Sequence, residues 1–183
     1  MDIKENLKQR SSLLQELEKI NLEEIVNAIR EVLISGNTIF WCGNGGSASQ
    51  ADHLSAELLG RFKRNRPPYS SYSLIPNSSL LTCISNDFGY EKVFSRQLEG
   101  LAKKGDLCVM ISTSGKSQNI VEAFKVCKIK GIKTLMFLGS NINSLYQDSE
   151  LIISIPSKQT DLIQEGHLVI GHIICDKLER NIL

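Results

Sequence analysis

The fold is decided by the stretch Thr38-Ile39-Phe40-Trp41-Cys42-Gly43-Asn44-Gly45-Gly46-Ser47-Ala48. Its β-branched and aromatic residues favour a strand, the glycines favour a tight turn, and the small residues after them open a helical pattern. Glycines permit positive φ and a close approach of the backbone, and a helix N-terminus offers unpaired N–H groups to an anion. The stretch therefore predicts a strand, an anion-binding turn and a helix that extends to about residue 60.

His53 and Glu57 lie within this predicted helix, four residues apart and therefore on one face. A single histidine on a helix is more often a packed or surface residue than a ligand. The carboxylate one turn later changes that interpretation, because the two groups can bind one metal ion or share one proton. An anion-binding turn followed closely by such a pair predicts an active site.

Apolar runs predict four further strands, at residues 72–75, 107–111, 134–138 and 151–155. Helices are predicted at residues 78–85, 93–101, 117–130 and 142–146 and from Thr160 onward, with a turn at 86–90. Strands that alternate with helices are typical of a parallel sheet with helices on both faces. The expected fold is therefore a three-layer α/β/α sandwich around a parallel, flavodoxin-like sheet of about five strands.

Residues 3–35 predict two helices, the second capped by Asn21 and ended by Gly36. The first carries leucines among charged residues and cannot bury them alone, so it must pack on the body of the protein or on another subunit. No linker or repeat interrupts the chain. We expect a single domain over residues 1–183, with 1–35 as a helical pair and 36–183 as the α/β core with its C-terminal helix.

The composition is that of an ordinary globular protein. Twenty-one basic and 20 acidic residues give a net charge of +1 over 183 residues, so no nucleic-acid or anionic-membrane surface is expected. No apolar run approaches the roughly 20 residues of a membrane span, and no secretory leader is expected. The cysteines, at positions 42, 83, 108, 127 and 175, form no C-x-x-C pair. They predict buried reduced thiols, no cysteine-bound structural zinc and a cytoplasmic protein.

Two loops imitate nucleotide-binding motifs without completing them. Gly43 to Ala48 fits G-x-G-x-x-A, but the acidic residue that this motif requires about 20 positions later is missing from the region 64–68. Gly115-Lys116-Ser117 imitates a Walker A loop, whose first glycine is replaced here by Met110. We therefore exclude both interpretations. The basic residues from 61 to 66 are expected to form only a solvated surface.

Two other groups of polar residues leave alternatives open. Four hydroxyls follow the predicted strand at 107–111, and they suit either a phosphate monoester or an ordinary capped loop; they are Ser112, Thr113, Ser114 and Ser117. The C-terminal helix carries Asp161, Gln164, Glu165, His167 and His172. At 3.6 residues per turn, periodicity does not decide which of these side chains converge.

These motifs stand in order over roughly residues 20–180: Cys42-Gly43-Asn44-Gly45-Gly46-Ser47, His53-x3-Glu57, Arg64-x-Arg66-Pro67, Asn86-Asp87-Phe88-Gly89, Ile111-Ser112-Thr113-Ser114-Gly115 and Ile163-Gln164-Glu165-x-His167-x4-His172. Together they resemble the bacterial phosphoheptose isomerases, which have the sugar-isomerase (SIS) fold. Lys116 stands where that family often has Asn, and Gly166 where it often has a larger apolar residue. We assign no chemistry to either position.

The resemblance implies conversion of D-sedoheptulose 7-phosphate to D-glycero-D-manno-heptose 7-phosphate through an enediol, with heptose destined for lipopolysaccharide core or capsule. It implies Glu57 and His172 as catalytic residues and His53, Glu57, Gln164 and His172 as ligands of one zinc ion per subunit. The implied substrate contacts are Asn44, Gly45, Gly46, Ser47, Glu57, Asn86, Asp87, Ser112, Thr113, Ser114, Ser117 and Gln164.

The resemblance also implies a homotetramer whose active sites are shared between subunits. The alternative is a non-catalytic SIS-domain binding protein, either of the type that contacts the replication initiator DnaA or a sugar-phosphate sensor. Such a protein has no chemical need for the His/Glu/Gln/His set, and this chain carries all four residues.

Overall fold

The structure, a computed structural model, describes residues 2–181. Within that range the chain forms five strands, β1 (Ile39–Gly43), β2 (Ser71–Ser73), β3 (Leu107–Ser112), β4 (Lys133–Leu138) and β5 (Leu151–Ser154). The helices are α1 (Ile3–Leu17), α2 (Glu23–Ile34), α3 (Gly46–Leu59), α4 (Ser78–Phe88), α5 (Ser95–Leu101), α6 (Gln118–Lys130) and α7 (Thr160–Asn181). Short 3₁₀ helices cover Tyr90–Lys92 and Ser144–Asp148.

The five strands form one parallel sheet in the order β2-β1-β3-β4-β5, which confirms the predicted flavodoxin-like fold. Every residue of β1 and β3 is buried, because helices cover both faces of the sheet. Ile39 and Trp41 face the core formed with α1, α2, α3 and α7. Phe40 and Cys42 face the opposite core, which α4, α5 and α6 complete. Such two-sided burial explains the continuous apolar runs in the sequence.

The N-terminal helices pack against the same chain. Leu13 and Leu17 of α1 are buried in the core that α7 shares, while Leu7 remains exposed. Before α2, the Asn21 side chain accepts a hydrogen bond from the N–H of Glu23 at 3.0 Å, although the helix begins one residue later than predicted. Gly36 ends the segment with a φ of +72°, as expected.

Two local predictions are wrong. The turn expected at 86–90 is instead helical up to Phe88, and the helix ends only at Gly89, where φ is +91°. Cys83 is exposed rather than buried; the other four cysteines are buried and all five are free thiols. Among residues 2–181, no helix has the length and apolarity that crossing a membrane requires.

Candidate active site

The loops that follow β1 and β3 meet at the carboxyl edge of the sheet. Gly43, the last residue of β1, pairs with Ile111 of β3, and β2 lies on the other side of β1. This is the point where the strand order reverses, and ligands of open α/β sheets bind in the crevice that forms there. The two loops are joined by paired amides: Asn44 Nδ2 donates to Asn119 Oδ1 at 2.9 Å, and Asn119 Nδ2 donates to Asn44 Oδ1 at 2.8 Å.

Asn119 and Tyr90 were not anticipated from the sequence. Asn119 is only 2% exposed, and the Tyr90 hydroxyl donates a further hydrogen bond to Asn44 Oδ1 at 2.9 Å. The Asn44 side chain is therefore oriented from two sides, by Asn119 and by Tyr90. An Asn two residues after a helix N-cap carries no distinctive sequence signal, so only the fold identifies Asn119.

The glycine turn has the predicted conformation. Gly45 has a φ of +54° and precedes the first residue of α3. Gly46 allows α7 to approach the turn, because a Cβ at this position would lie 2.5 Å from Nε2 of Gln164. Gln50 Nε2 reaches the backbone carbonyl of Gln164 at 2.5 Å. These contacts place the Gln164 amide beside the turn.

His53, Glu57 and His172 converge from α3 and α7. Nε2 of His53 lies 2.9 Å from Nε2 of His172 and 3.3 Å from Oε1 of Glu57. One ligand atom from each of the three residues lies within 4.8 Å of the others. The predicted pairing of His53 and Glu57 on one helix face is confirmed, and of the polar residues on α7 it is His172 that joins them.

The environment of His172 favours its neutral form. Burial is the main cause that lowers its pKa, and the adjacent imidazole of His53 lowers it further. A neutral imidazole is the form that binds a metal ion or accepts a proton. The ring of Phe62 stacks on that of His172, with 5.4 Å between centroids and 21° between planes. Glu165 points elsewhere, since its carboxylate accepts from Arg10 of α1 at 2.9 Å.

In the hydroxyl-rich loop after β3, two of the four hydroxyls accept hydrogen bonds from backbone N–H groups of the loop itself. Ser112 Oγ accepts from the N–H of Gly115 at 3.1 Å, and Ser114 Oγ accepts from the N–H of Lys116 at 3.2 Å. Thr113 lines a cavity of about 190 Å³ together with Ser114, Lys116 and Lys158. Ser117 is the N-cap of α6 but makes no side-chain capping bond. Lys116, to which we assigned no chemistry from the sequence, thus lies beside the hydroxyls.

Asn86 and Asp87 lie in the last turn of α4, both exposed. Their side chains bond each other, Asn86 Nδ2 donating to Asp87 Oδ1 at 2.9 Å. The 3₁₀ segment that follows carries Tyr90, which bonds Asn44 as described above. These two polar residues therefore lie on the segment that leads to the crevice.

His167 does not belong to the cluster. Its side chain is fully buried, and Nε2 donates to the carbonyl of Leu138 at 3.0 Å, while Nδ1 has no partner among the described residues. Burial is the main cause that lowers the pKa of His167 to about 4. The residue is a neutral part of the core, where it contacts Phe137 edge-on.

This environment predicts a pH effect on stability. Because the folded pKa of about 4 lies below the ordinary 6.5, the unfolded chain takes up the proton first as the pH falls below 6.5. Lowering the pH from 7 to 5 should therefore cost about 2 kcal/mol of unfolding free energy through His167. Urea unfolding with chelator present should show a pH dependence smaller by that amount in His167→Gln, whose amide can still donate to Leu138. Equal pH dependence in both proteins would contradict this assignment.

The basic segment after α3 is the solvated surface that the sequence predicts, with Arg61, Lys63 and Arg64 exposed, except at Arg66. Arg66 is only 2% exposed in its side chain and pairs with Glu179 of α7, which is 1% exposed, at 3.1 Å. The expectation holds for Lys63, whose side chain is 61% exposed. The partner of Arg66 lies 113 residues away in sequence, so no local pattern could reveal the pair.

Comparison with known proteins identifies the class and then the family. The family model described as SIS domain matches residues 4–139. The phosphoheptose isomerase of Akkermansia muciniphila is 44% identical over 162 residues, 88% of this chain and 86% of that protein. That of Helicobacter pylori is 43% identical over 178 residues, 97% and 91% of the two chains. The solved structure of phosphoheptose isomerase GmhA from Neisseria gonorrhoeae superposes with a TM-score of 0.89 at 31% identity, covering 97% of each chain.

The fold and the match to the SIS domain therefore define a SIS-domain protein. At this level of identity over nearly the whole length, the chain belongs to the phosphoheptose isomerase family.

Proposed function

We propose that this isomerase converts D-sedoheptulose 7-phosphate to D-glycero-D-manno-heptose 7-phosphate at the cluster of His53, Glu57 and His172. The observation that carries the proposal is the convergence of two imidazoles and a carboxylate within 4.8 Å, from two helices that border the crevice. Proton transfer between adjacent carbons needs a base, an acid and stabilisation of the oxyanion. The cluster supplies groups of each required type.

We assign the proton transfers to Glu57 and His172. Glu57 removes a proton from C1 of the ketose and returns it to C2, which becomes the new stereocentre. His172 moves the second proton from the hydroxyl on C1 to the oxygen on C2, so that C1 becomes the aldehyde and no proton is gained or lost. An imidazole suits the second role because it can both donate and accept a proton near neutral pH.

The same residues fit a divalent metal ion. For Glu57 and His172 this role competes with proton transfer, because a carboxylate or imidazole donor atom that binds the ion is not free to take up a proton. Nitrogen and oxygen donors at the observed spacing suit zinc, and we propose His53, Glu57 and His172 as three of its ligands. Gln164 would be the fourth, since its amide lies beside Gly46 at the edge of the crevice. A bound divalent ion supplies Lewis-acid stabilisation of negative charge on the substrate oxygens.

The loops supply the proposed substrate contacts. The turn after β1 would contact the sugar chain through Asn44, Gly45, Gly46 and Ser47, and Asn86 and Asp87 would bind its hydroxyls. The phosphate would lie at the loop formed by Ser112, Thr113, Ser114 and Ser117. Backbone N–H groups and hydroxyls near the start of α6 suit a phosphate monoester, and the lysines at 116 and 158 add positive charge beside them.

Replacing Thr113 with Val tests the phosphate site. The change removes a hydroxyl and keeps the shape of the side chain. Depriving a charged phosphate oxygen of one partner should cost roughly 1.5–3 kcal/mol, or about ten- to a hundred-fold in substrate affinity. Calorimetric titration measures this constant, and the melting temperature should stay unchanged. Unaltered affinity in the folded variant would place the phosphate elsewhere.

The function itself is tested by incubating the protein with sedoheptulose 7-phosphate in deuterated water and following the sugar by NMR. An isomerase produces the aldose, and deuterium appears at C2 of the product to the extent that the proton held by Glu57 exchanges with solvent before it is returned. A protein that binds the sugar phosphate without producing aldose would belong instead with the non-catalytic SIS-domain binders.

We also propose that the enzyme is a homotetramer with shared sites. On α1, Ile3, Leu7 and Leu14 are 77%, 60% and 49% exposed and lie on one helix face. An apolar stripe of this kind supports a subunit contact. Light scattering should give a mass near four chains, whereas a monomeric mass would contradict the proposal.

Residues 1–183 are proposed to form one domain in the cytoplasm. The helical pair at 1–35 shares the core of 36–183, since Leu13, Leu17 and Val26 pack in the same cluster as Ile39 and Leu178. The five free thiols suit a reducing compartment. Limited proteolysis that released the first 35 residues as a separate unit would contradict the single domain, and recovery of the protein outside the cytoplasmic fraction would contradict the location.

A further inference from the structure

The carboxylate of Glu179 organises the segment between α3 and β2. Its two oxygens accept hydrogen bonds from the backbone N–H groups of Phe62, Lys63 and Arg64 at 2.8, 2.8 and 2.9 Å. Nε of Arg66 donates to the same carboxylate at 3.1 Å. Burial acts to raise the pKa of Glu179, but these donors outweigh it and lower the pKa, so the group is ionised. Four donors hold one buried negative charge.

Arg66 connects that charge to the end of α3. Nη2 donates to the carbonyl of Glu57 at 2.8 Å, and Nη1 donates to the carbonyls of Leu58 at 2.9 Å and Pro67 at 3.0 Å. The last carbonyls of a helix have no partner within the helix, and the guanidinium supplies one here. The guanidinium also lies over the Tyr69 ring, 3.9 Å from its centroid. Arg66 thus fixes the turn of α3 that carries Glu57.

Glu179 lies on the helix that carries His172. It lies seven residues after His172 on α7, two turns along the same helix face. The segment that it holds begins with Phe62, whose ring stacks on His172. The pair therefore joins the backbone of Glu57, the ring of Phe62 and the helix of His172 through contacts that are all buried or partly buried.

We propose that Arg66 and Glu179 are positioning residues, which set the distance between α3 and α7 at the His53–Glu57–His172 cluster and hold Phe62 against His172. The inference rests on the proposed function, because it concerns the geometry of that metal and catalytic site. Their side chains are 2% and 1% exposed and are therefore closed to a substrate. Replacement of a buried ion pair by apolar residues is often neutral for stability. A role in stability alone therefore does not explain why the contacts of this pair reach both Glu57 on α3 and His172 on α7.

Glu179→Gln and Phe62→Leu test the proposal against a matched control, Glu150→Gln. Glu150 also accepts from a backbone N–H, that of Thr134 at 2.9 Å, and from a lysine, Lys128 at 2.8 Å. It precedes β5, and its partner Lys128 lies on α6, which packs on the face of the sheet opposite α3 and α7. Zinc affinity is measured by competition with a chromophoric chelator, and kcat and KM are measured at a temperature where every variant is folded.

Glu179→Gln should weaken zinc binding by about 10- to 100-fold, the usual effect of groups that orient metal ligands. It should lower kcat by about tenfold and leave KM within about threefold, since substrate contacts are intact. Phe62→Leu should change both quantities in the same direction by a smaller factor. Glu150→Gln should lower the melting temperature alone. If folded Glu179→Gln keeps wild-type zinc affinity and kcat, the proposal is overturned.

A third readout separates this proposal from the proposed function. In metal-free protein the ring protons of His172 feel the ring current of Phe62, and their NMR shifts should move in Phe62→Leu and in Glu179→Gln but not in Glu150→Gln. If the His172 shifts do not move in Glu179→Gln, the positioning role is overturned even if the wild type is an active zinc enzyme. Should Glu179→Gln not fold, unmoved shifts in Phe62→Leu overturn it in the same way. Moved shifts support it even if the wild type neither binds zinc nor turns over, an outcome that would refute the proposed function instead.

Discussion

Glu57→Gln and His172→Gln should each lower the turnover of sedoheptulose 7-phosphate by at least about 10²-fold, the lower range for loss of a general acid or base. Both changes keep the size of the side chain and a hydrogen-bonding group. Glu57→Gln removes the carboxylate basicity that proton abstraction from C1 requires. His172→Gln removes the only group in the cluster assigned to carry the proton between the two oxygens. Steady-state kinetics give kcat, and circular dichroism verifies that each variant is folded.

Asp52→Asn is the matched control for Glu57→Gln. Asp52 lies on the same helix one residue before His53, and its side chain lines a different surface groove, with Tyr72 and Asn77. Removal of this carboxylate should leave kcat within about twofold, because it lies outside the proton-transfer pair. Near-normal turnover in folded Glu57→Gln or His172→Gln would reject the catalytic assignment.

Removal of the metal site should have a comparable or larger effect. Purified wild-type protein should carry about one zinc-class ion per chain, and His53→Ala combined with His172→Ala should abolish its binding. Loss of Lewis-acid stabilisation worth several kcal/mol, together with loss of the proton carrier, should lower turnover by at least about 10³-fold. Metal analysis and the isomerase assay measure the two effects.

Binding of the ion at this site should also stabilise the folded protein. An ion that binds the native state and not the unfolded chain stabilises by mass action, and at zinc concentrations about 1,000-fold above Kd the melting temperature should rise on the order of 10 °C. The double variant should melt at one temperature with or without chelator. His167→Gln, which alters the remaining histidine of the chain, should still bind zinc and respond to chelator. A wild-type protein with no ion and no response to added zinc would rule out the metal site.

Local periodicity was sufficient to predict most of the fold. The buried runs of β1 and β3 and the single-face spacing of His53 and Glu57 follow from side-chain direction along a strand or helix, which neighbouring residues determine. The parallel sheet followed from the alternation of strands and helices. The turn expected at 86–90 failed because polar residues, which usually favour turns, kept helical geometry until a glycine at positive φ.

The sequence could not assign the residues whose partners are distant. The helix pattern alone was compatible with either His167 or His172 at the site. The family resemblance implied His172, and packing places His167 in the core and His172 at the cluster. Nothing local distinguished Arg66 from the exposed basic residues beside it. Its burial depends on a carboxylate 113 residues away.

The sequence by itself thus determined the fold class, the glycine turn, the hydroxyl loop and the presence of an imidazole–carboxylate pair, because each is encoded within one or two elements. Only the tertiary structure revealed that Asn119 meets Asn44 and that Glu179 meets Arg66, and it gave the contact of His172 with His53 and Glu57 that the family resemblance had implied but periodicity could not derive. The reason is physical. Secondary structure depends on contacts a few residues apart, whereas the relative rotation of α3 and α7 is set by packing between surfaces that lie more than 100 residues apart in the chain.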